Sequence, residues 1–264
     1  MSDDDPLETL ATKLRAERER YMAEVQESRP FQNALNYLES ITAHMLIGQT
    51  YVRLMGTRFS AENDYLLFRF APHLSEAALA VTSCAREGMQ NAARRELRFL
   101  LEAAVKLSSR DSHGDAATFE ERLAGLGDRS KRFEDYVAEL RYFDEFEEPE
   151  EANAEILSLY SELSHYVHAS VPQFESSMAR SRRGESAGME TVATLNKFNK
   201  LAFRVYDLAL VRIFHGVDLS LAGDIFTTAL DDQPKWRFHK GKFVGRMSRC
   251  FDYKHERRVR RGEI

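Results

Sequence analysis

Apolar residues recur along most of this chain at three- and four-residue intervals, the spacing that keeps side chains on one face of an α-helix. In ILSLYSELSHYVHASVP the period runs through Ile156, Leu159, Tyr160, Leu163, Val167 and Ser170, and it predicts a helix over 156–172 that stops at Val171-Pro172. Gly88 to Leu107 is the strongest helix by pattern and by propensity, with Ala93, Leu97, Leu100, Leu101, Ala104 and Val105 facing inward. Phe31, Leu35, Leu38, Ile41, Met45 and Val52 predict a helix from Pro30 to a stop at Gly56. Another runs from about Met189 to His215 through Val192, Leu195, Phe198, Ala202, Val205, Ala209 and Ile213, with Gly216 as its C-terminal cap. Asp5 and Pro6 open an N-terminal helix reaching about Glu27. Its apolar side (Leu7, Leu10, Leu14, Tyr21, Val25) is narrow, which predicts packing on a neighbour or on a second subunit.

Shorter signals fill the gaps. The aromatic piece 64–70 lacks helical cues, and Pro72 starts a run through Leu74, Ala78 and Val81. Thr118 can cap a helix whose Glu121 completes a capping box, and 133–142 reads as a short helix. The last fifty residues have no clean period and are expected to wrap back through Ile225, Phe226, Trp236, Phe238, Phe243 and Phe251. The fold expected is therefore all-α, a multi-helix bundle of about six or seven helices with a basic, less regular C-terminal appendage. Residues 1–216 form the bundle in this reading, and 217–264 a basic, aromatic appendage packed on it.

Two flanks of these helices carry chemistry. With Leu163 as zero on a helical wheel, Ser164 falls at about 100° and His168 at about 140°, beside the buried stripe, while His165 at about 200° faces away. With Leu97 as zero, Arg98 and Glu102 hold the same two positions on the other helix, as an i,i+4 pair. Arg94 falls inside the apolar arc and needs a carboxylate partner or a route to water.

Charge changes the picture more than composition does. The chain carries a net −5, yet Lys235 to Arg261 holds 11 Lys and Arg against Asp252 and Glu256. From Glu134 to Glu151 there are 9 acidic residues against the single Arg141. Such separation fits an anionic partner at the tail, or docking of the tail on the protein's own acidic surface. Cys84 and Cys250 stand alone without CxxC spacing, which suits buried structural thiols in a reducing cytoplasm. The acidic start MSDDDPLETL is unlike a secretory signal, and no apolar run is long enough for a membrane span, so no membrane association is expected.

Cleavage of RNA by its own 2′-hydroxyl needs a general acid or base titrating near neutrality and a fixed cation for the phosphorane. His168 and Arg98 are the right types, Glu102 can orient either, and Ser164 can hold a phosphate oxygen or fix the imidazole tautomer. The structural alternative makes Arg98 and Glu102 a helix-surface ion pair and His168 a cap for its helix end. Glu162-Leu-Ser-His165 has the ExxH spacing of di-iron bundles, but no second ExxH accompanies it, and no metal or cofactor is expected. In the tail, Lys235, Arg237, Lys240, Lys242, Arg257, Arg258, Arg260 and Arg261 interleave with aromatics and are candidates for nucleic-acid contact, the alternative being that the aromatics anchor the core. There is no P-loop, GxGxxG, HExxH or GxSxG motif.

The pairing of ELRFLLEAAVKL with LYSELSHYVHASVP resembles the HEPN superfamily of all-helical domains, especially its abortive-infection-like members, over about Met89 to Phe214. There an Arg/Glu-bearing helix is followed by a helix ending in an LS-x-x-x-H-like signature. This chain departs from the family's nuclease motif in having no Arg on the His-bearing helix; Leu163 and Glu162 precede His168 by five and six, and Arg98 would have to take that part from another helix. The resemblance implies a homodimer and an RNA-linked role in prokaryotic defence or stress, with a divergent metal-independent endoribonuclease or an RNA or nucleotide binder as the activity. The alternative is a non-catalytic, homodimerising module that docks a protein partner through its charge-polarised surface.

Overall fold

The computed structural model describes residues 6–58, 65–112, 118–126, 130–167, 170–182, 188–217, 219–231 and 233–251, and among them every regular element is helical. The α-helices are α1 (Pro6–Tyr21), α2 (Arg29–Arg58), α3 (Leu66–Arg86), α4 (Gln90–Asp111), α5 (Phe119–Leu126), α6 (Phe133–Ala138), α7 (Pro149–Ser164), α8 (Val171–Arg182), α9 (Val192–His215), α10 (Leu219–Ile225) and α11 (Lys242–Arg249). Single π turns follow α1 and α10, and a 3₁₀ turn at Arg237–Lys240 precedes α11.

The all-α class stands, but the described residues hold eleven α-helices where the hydrophobic period predicts about six or seven. The surplus comes from short elements. Helices α10 and α11 have 7 and 8 residues, too few turns to show a period. The stretch expected as one helix over 156–172 is two: α7 starts earlier, at Pro149, and ends at Ser164, and α8 begins at Val171. The break is capped locally. Ser170 donates its hydroxyl to the His165 carbonyl (2.7 Å) and accepts from the Gln173 N–H (3.3 Å), which turns the chain into α8.

Helices α4 and α9 form the centre. α3 packs along α4, α2 along α9, α7 on α4 and α11 on α9. Ala93, Leu97, Leu100, Leu101, Ala104 and Val105 of α4 are fully buried, and every α9 residue from Val205 to His215 is buried. A helix enclosed on all sides must satisfy its polar groups internally. Arg212 donates to Ser108 Oγ (3.1 Å) and to the Arg141 carbonyl (3.2 Å), and its guanidinium lies over the Tyr142 ring. His215, caged by Tyr142, Phe143 and Phe146, bonds Val211 O through Nδ1 (2.8 Å), and burial beside Arg212 keeps its pKa well below the usual value.

Two aspartates act across the core as helix caps. Asp111, at the end of α4, accepts the Leu66 and Leu67 N–H groups (2.9 and 2.8 Å) and so opens α3, whose own N-cap, Tyr65, has no capping side chain. This cap explains why α3 forms through the piece expected to lack helical cues, with Pro72 inside it. Asp207, in the middle of α9, accepts the Phe243 and Val244 N–H groups (2.9 and 3.0 Å) and opens α11 in the same way.

Gly56 does not stop α2, which runs two residues further. A Cβ there would collide with the Phe68 ring, so the glycine permits close packing of α2 against α3. Gly216 ends α9 with ordinary right-handed angles (φ −78°), and a Cβ would strike Leu67 and Ser108. Gly88, between α3 and α4, does need its left-handed φ of 70°.

Candidate functional site

The two flanks singled out by the helical wheel meet. α4 lies against α7, and Arg98 Nε donates to Ser164 Oγ at 3.1 Å while NH2 donates to the Tyr160 hydroxyl at 2.6 Å. The same guanidinium lies 4.6 Å from the Tyr160 ring centroid and 3.5 Å from Glu102 Oε2. Phe133 of α6 stacks on the other face of Tyr160, with centroids 3.8 Å apart. Arg98 therefore closes a three-layer stack of guanidinium, phenol and phenyl, and it retains about a fifth of its side-chain exposure (21%).

Ser164 is spent on structure. Its hydroxyl donates to the Tyr160 carbonyl one turn back (2.6 Å) and accepts from Arg98, so its proton is committed to the backbone. Glu102 accepts from Lys106 Nζ at 2.6 Å and faces Arg98, holding two cations at once. His168 lies outside the described residues, and His165 is exposed.

Around this contact the structure reveals a row that extends the Arg98–Glu102 pair in both directions. Arg94, Arg98, Glu102, Lys106 and Arg110 follow one another at four-residue spacing along α4, and each cation rests on an aromatic ring. Arg94 lies over Tyr166 (4.7 Å), Lys106 and Arg110 over Tyr136 (5.4 and 5.1 Å), and Lys131 reaches the same Tyr136 ring (4.7 Å). Arg95, beside the row, donates to the Tyr166 carbonyl at 2.7 Å. Arg94, expected to need a carboxylate partner or a route to water, is partly exposed, and it also donates to the side-chain oxygens of Gln90 and Asn91 (3.3 and 3.4 Å). Arg110 (2.9 Å) and Lys131 both pair with Glu139, and the four cations of the row together with Lys131 outnumber Glu102 and Glu139, so the ridge is net positive. The four-residue repeat was open to view in the sequence; the rings beneath it come from α6, α7 and the turn after α7.

Beside Glu102 and Lys106 opens a cleft of about 240 Å³ with an apolar floor of Phe70, Phe99, Ala103, Leu107 and Leu126. Phe99 is 42% exposed, an unusual state for a phenyl ring on a helix so well buried elsewhere, and Phe70 packs on it at a tilt (6.3 Å). An aromatic surface rimmed by one carboxylate and one ammonium can accept a flat, polar-edged group.

The basic tail behaves differently. Trp236, Phe238, Phe243 and Phe251 are buried at 4, 0, 3 and 7% exposure, so they anchor the core and offer no face to a base. Lys242 pairs with Glu151, Arg246 with Glu148 and Glu151 (2.6 Å each), and Arg249 with Glu147 (3.1 Å). α11 thus docks on the acidic entry to α7. Arg237 donates to Ser40 Oγ (3.1 Å) and lies over Tyr37, while Lys235 and Lys240 are exposed. Arg257, Arg258, Arg260 and Arg261 fall outside the described residues.

Among the described residues no group of three His, Cys, Asp or Glu could hold a metal ion, and no helix is long and apolar enough to cross a membrane. Glu162 of the ExxH spacing faces Arg204 (3.9 Å). Cys250 is buried, with its thiol pushed up to about 12 by burial, whereas Cys84 is only half-buried. No family model, curated protein or solved structure matches this chain.

Proposed function

We propose that the protein recognises single-stranded RNA, or a nucleotide, along the α4 ridge, with Arg98, Lys106 and Arg110 addressing phosphate oxygens and Phe99 accepting a base. The observation that carries this reading is the net-positive row from Arg94 to Arg110 beside the exposed Phe99 cleft: cations held on rings lose little entropy on binding an anion, and a phenyl face stacks on any base. The Glu102 carboxylate at the rim suits the amino edge of a base. Setting the site in a prokaryotic defence or stress response rests on the HEPN resemblance alone.

Binding is favoured over cleavage by the state of Ser164, whose proton is committed to the Tyr160 carbonyl, and of Arg98, whose Nε and one terminal nitrogen hold α4 to α7 and leave only the other terminal nitrogen to meet a phosphate. A ribonuclease at this seam would need His168 as its acid or base, next to Arg98. The alternative of a scaffold that docks a protein through charge-polarised ends loses support, because α11 and the acidic entry of α7 satisfy each other.

Anisotropy of a labelled single-stranded RNA titrated with the full chain in the presence of a chelator tests the reading. Saturable binding that weakens with salt is expected; Lys106→Ala and Phe99→Ala should each weaken it roughly tenfold. Undiminished affinity in both variants, or no binding at low salt, refutes the site. Gel analysis of the same RNA reports on cleavage, and products lost in His168→Ala would move the reading from binder to nuclease.

A further inference from the structure

Among the described residues, the side-chain contacts that seat α1 on the molecule lie near its C-terminus. Near its C-terminus Tyr21 donates to the Glu190 carbonyl (2.8 Å) and packs edge-on against Phe31, and Arg18 faces Glu87 (3.8 Å). Going back along the same stripe, exposure climbs through Leu14 (49%) and Leu10 (54%) to Leu7 (75%), and no residue of the helix is buried. The stripe thus leaves three leucines about half exposed or more. A helix of 16 residues is marginal in water unless its apolar side is covered.

The charges beside the stripe identify what covers it. With Leu7 as zero, Ala11 falls at about 40°, Arg15 at about 80° and Glu8 at about 100°, so Glu8 and Arg15 share one flank, seven residues apart, with a small residue between them and the stripe. When two copies of a helix pack antiparallel about a two-fold axis, each flank meets the same flank of the other copy. Leu7 then lies opposite Leu14, Leu10 beside Ala11, and each Glu8 beside the other copy's Arg15. The two ion pairs are generated by symmetry from one chain's sequence.

We infer that the exposed stripe of α1 is a self-association surface, which pairs antiparallel with α1 of a second copy of this chain through Leu7, Leu10 and Leu14 and a reciprocal Glu8–Arg15 contact. The inference is independent of the RNA site, which lies on α4. The small α1 footprint makes the dimer concentration-dependent.

Sedimentation equilibrium of the full chain over about 1–200 µM tests it, with a dissociation constant in the micromolar range expected. Leu10→Asp with Leu14→Asp should raise that constant at least about 100-fold while leaving the unfolding temperature of the body unchanged, since both side chains are half exposed. Glu8→Arg and Arg15→Glu should each weaken association, and mixing the two variants should yield a heterodimer tighter than either homodimer. A chain that stays monomeric throughout the range overturns the inference, as does a dimer whose mass ignores the leucine substitutions. Charge variants that gain nothing on mixing overturn the antiparallel pairing.

Discussion

Asp111 lies with its side chain wholly in the core, yet it faces two backbone N–H groups and the Arg122 guanidinium (3.6 Å). Burial dominates, and the carboxyl is pushed up to about 7 from 3.8, against the pull of Leu67, Leu66 and Arg122. Because the folded value lies above the unfolded one, the folded state binds the proton more tightly. Its contribution to stability is complete below about 3.8 and is lost as pH rises through about 7. Between pH 5.5 and 8.5 this group should therefore cost the wild type about 2 kcal/mol, read as a fall in the urea midpoint. Asp111→Asn, which has no proton to lose, should show a smaller fall over that interval; equal falls in the two proteins would refute the assignment. None of this is legible locally, since Asp111 closes its own helix in the sequence and only its distance from Leu66 in the fold makes it a cap. Ser164 is a similar case: its flank position was readable, whereas its commitment to the Tyr160 carbonyl was not.

At the scale of the element, what distinguishes this bundle is that two helices are opened by carboxylates on other helices. α11 has Gly241 at its N-cap and no capping side chain of its own. Asp207 supplies the acceptor, and a Cβ on Gly241 would run into that carboxylate, which is why the junction carries a glycine. Asp207→Ala should leave both N–H groups without an acceptor and destabilise the protein by about 1–3 kcal/mol. Deuterium exchange should quicken over 242–249 more than over α4; uniform quickening would show that the aspartate serves the whole core rather than the cap. The periodic helices α2, α4 and α9 were legible in their apolar spacing, and so was the Thr118–Glu121 capping box, observed with Thr118 N to Glu121 Oε2 at 2.9 Å and Glu121 N to Thr118 Oγ1 at 3.3 Å. Such signals act within one turn. The end of α7 at Ser164 depends instead on the turn to α8, where the continuing apolar period at Val167 and Ser170 misleads.

For the whole molecule, the contrast between an acidic body and a basic C-terminal segment is partly resolved inside the fold. Glu151 meets Lys242 and Arg246 together, and these two hold its carboxyl down at about 2. A depressed folded value means that the contact contributes above the usual 4.5 and is lost as pH falls through about 2. Trp236, the single tryptophan, is buried ahead of α11 with its indole N–H on the His44 carbonyl (2.9 Å), so its emission reports on this segment. Wild-type emission should redden in acid at a lower pH than that of Glu151→Gln, which has already lost the contact at neutrality. Superimposable acid transitions would mean that the ion pairs are ornaments of the surface and that the apolar anchors alone hold α11.

The sequence by itself determined the helical class, the inward faces of the long helices and the Arg98–Glu102 pair, because each of these rests on spacings of three or four residues that one chain segment carries alone. It also placed Ser164 and Arg98 on matching flanks. Only the tertiary structure decided that those flanks touch, that aromatic rings from α6 and α7 lie under the α4 cations, that Asp111 and Asp207 cap remote helices, and that α11 returns to the acidic entry of α7. Those contacts join residues from 26 (Arg110 and Tyr136) to 95 (Glu151 and Arg246) positions apart, and their energies depend on burial and ring geometry that arise only after the helices dock.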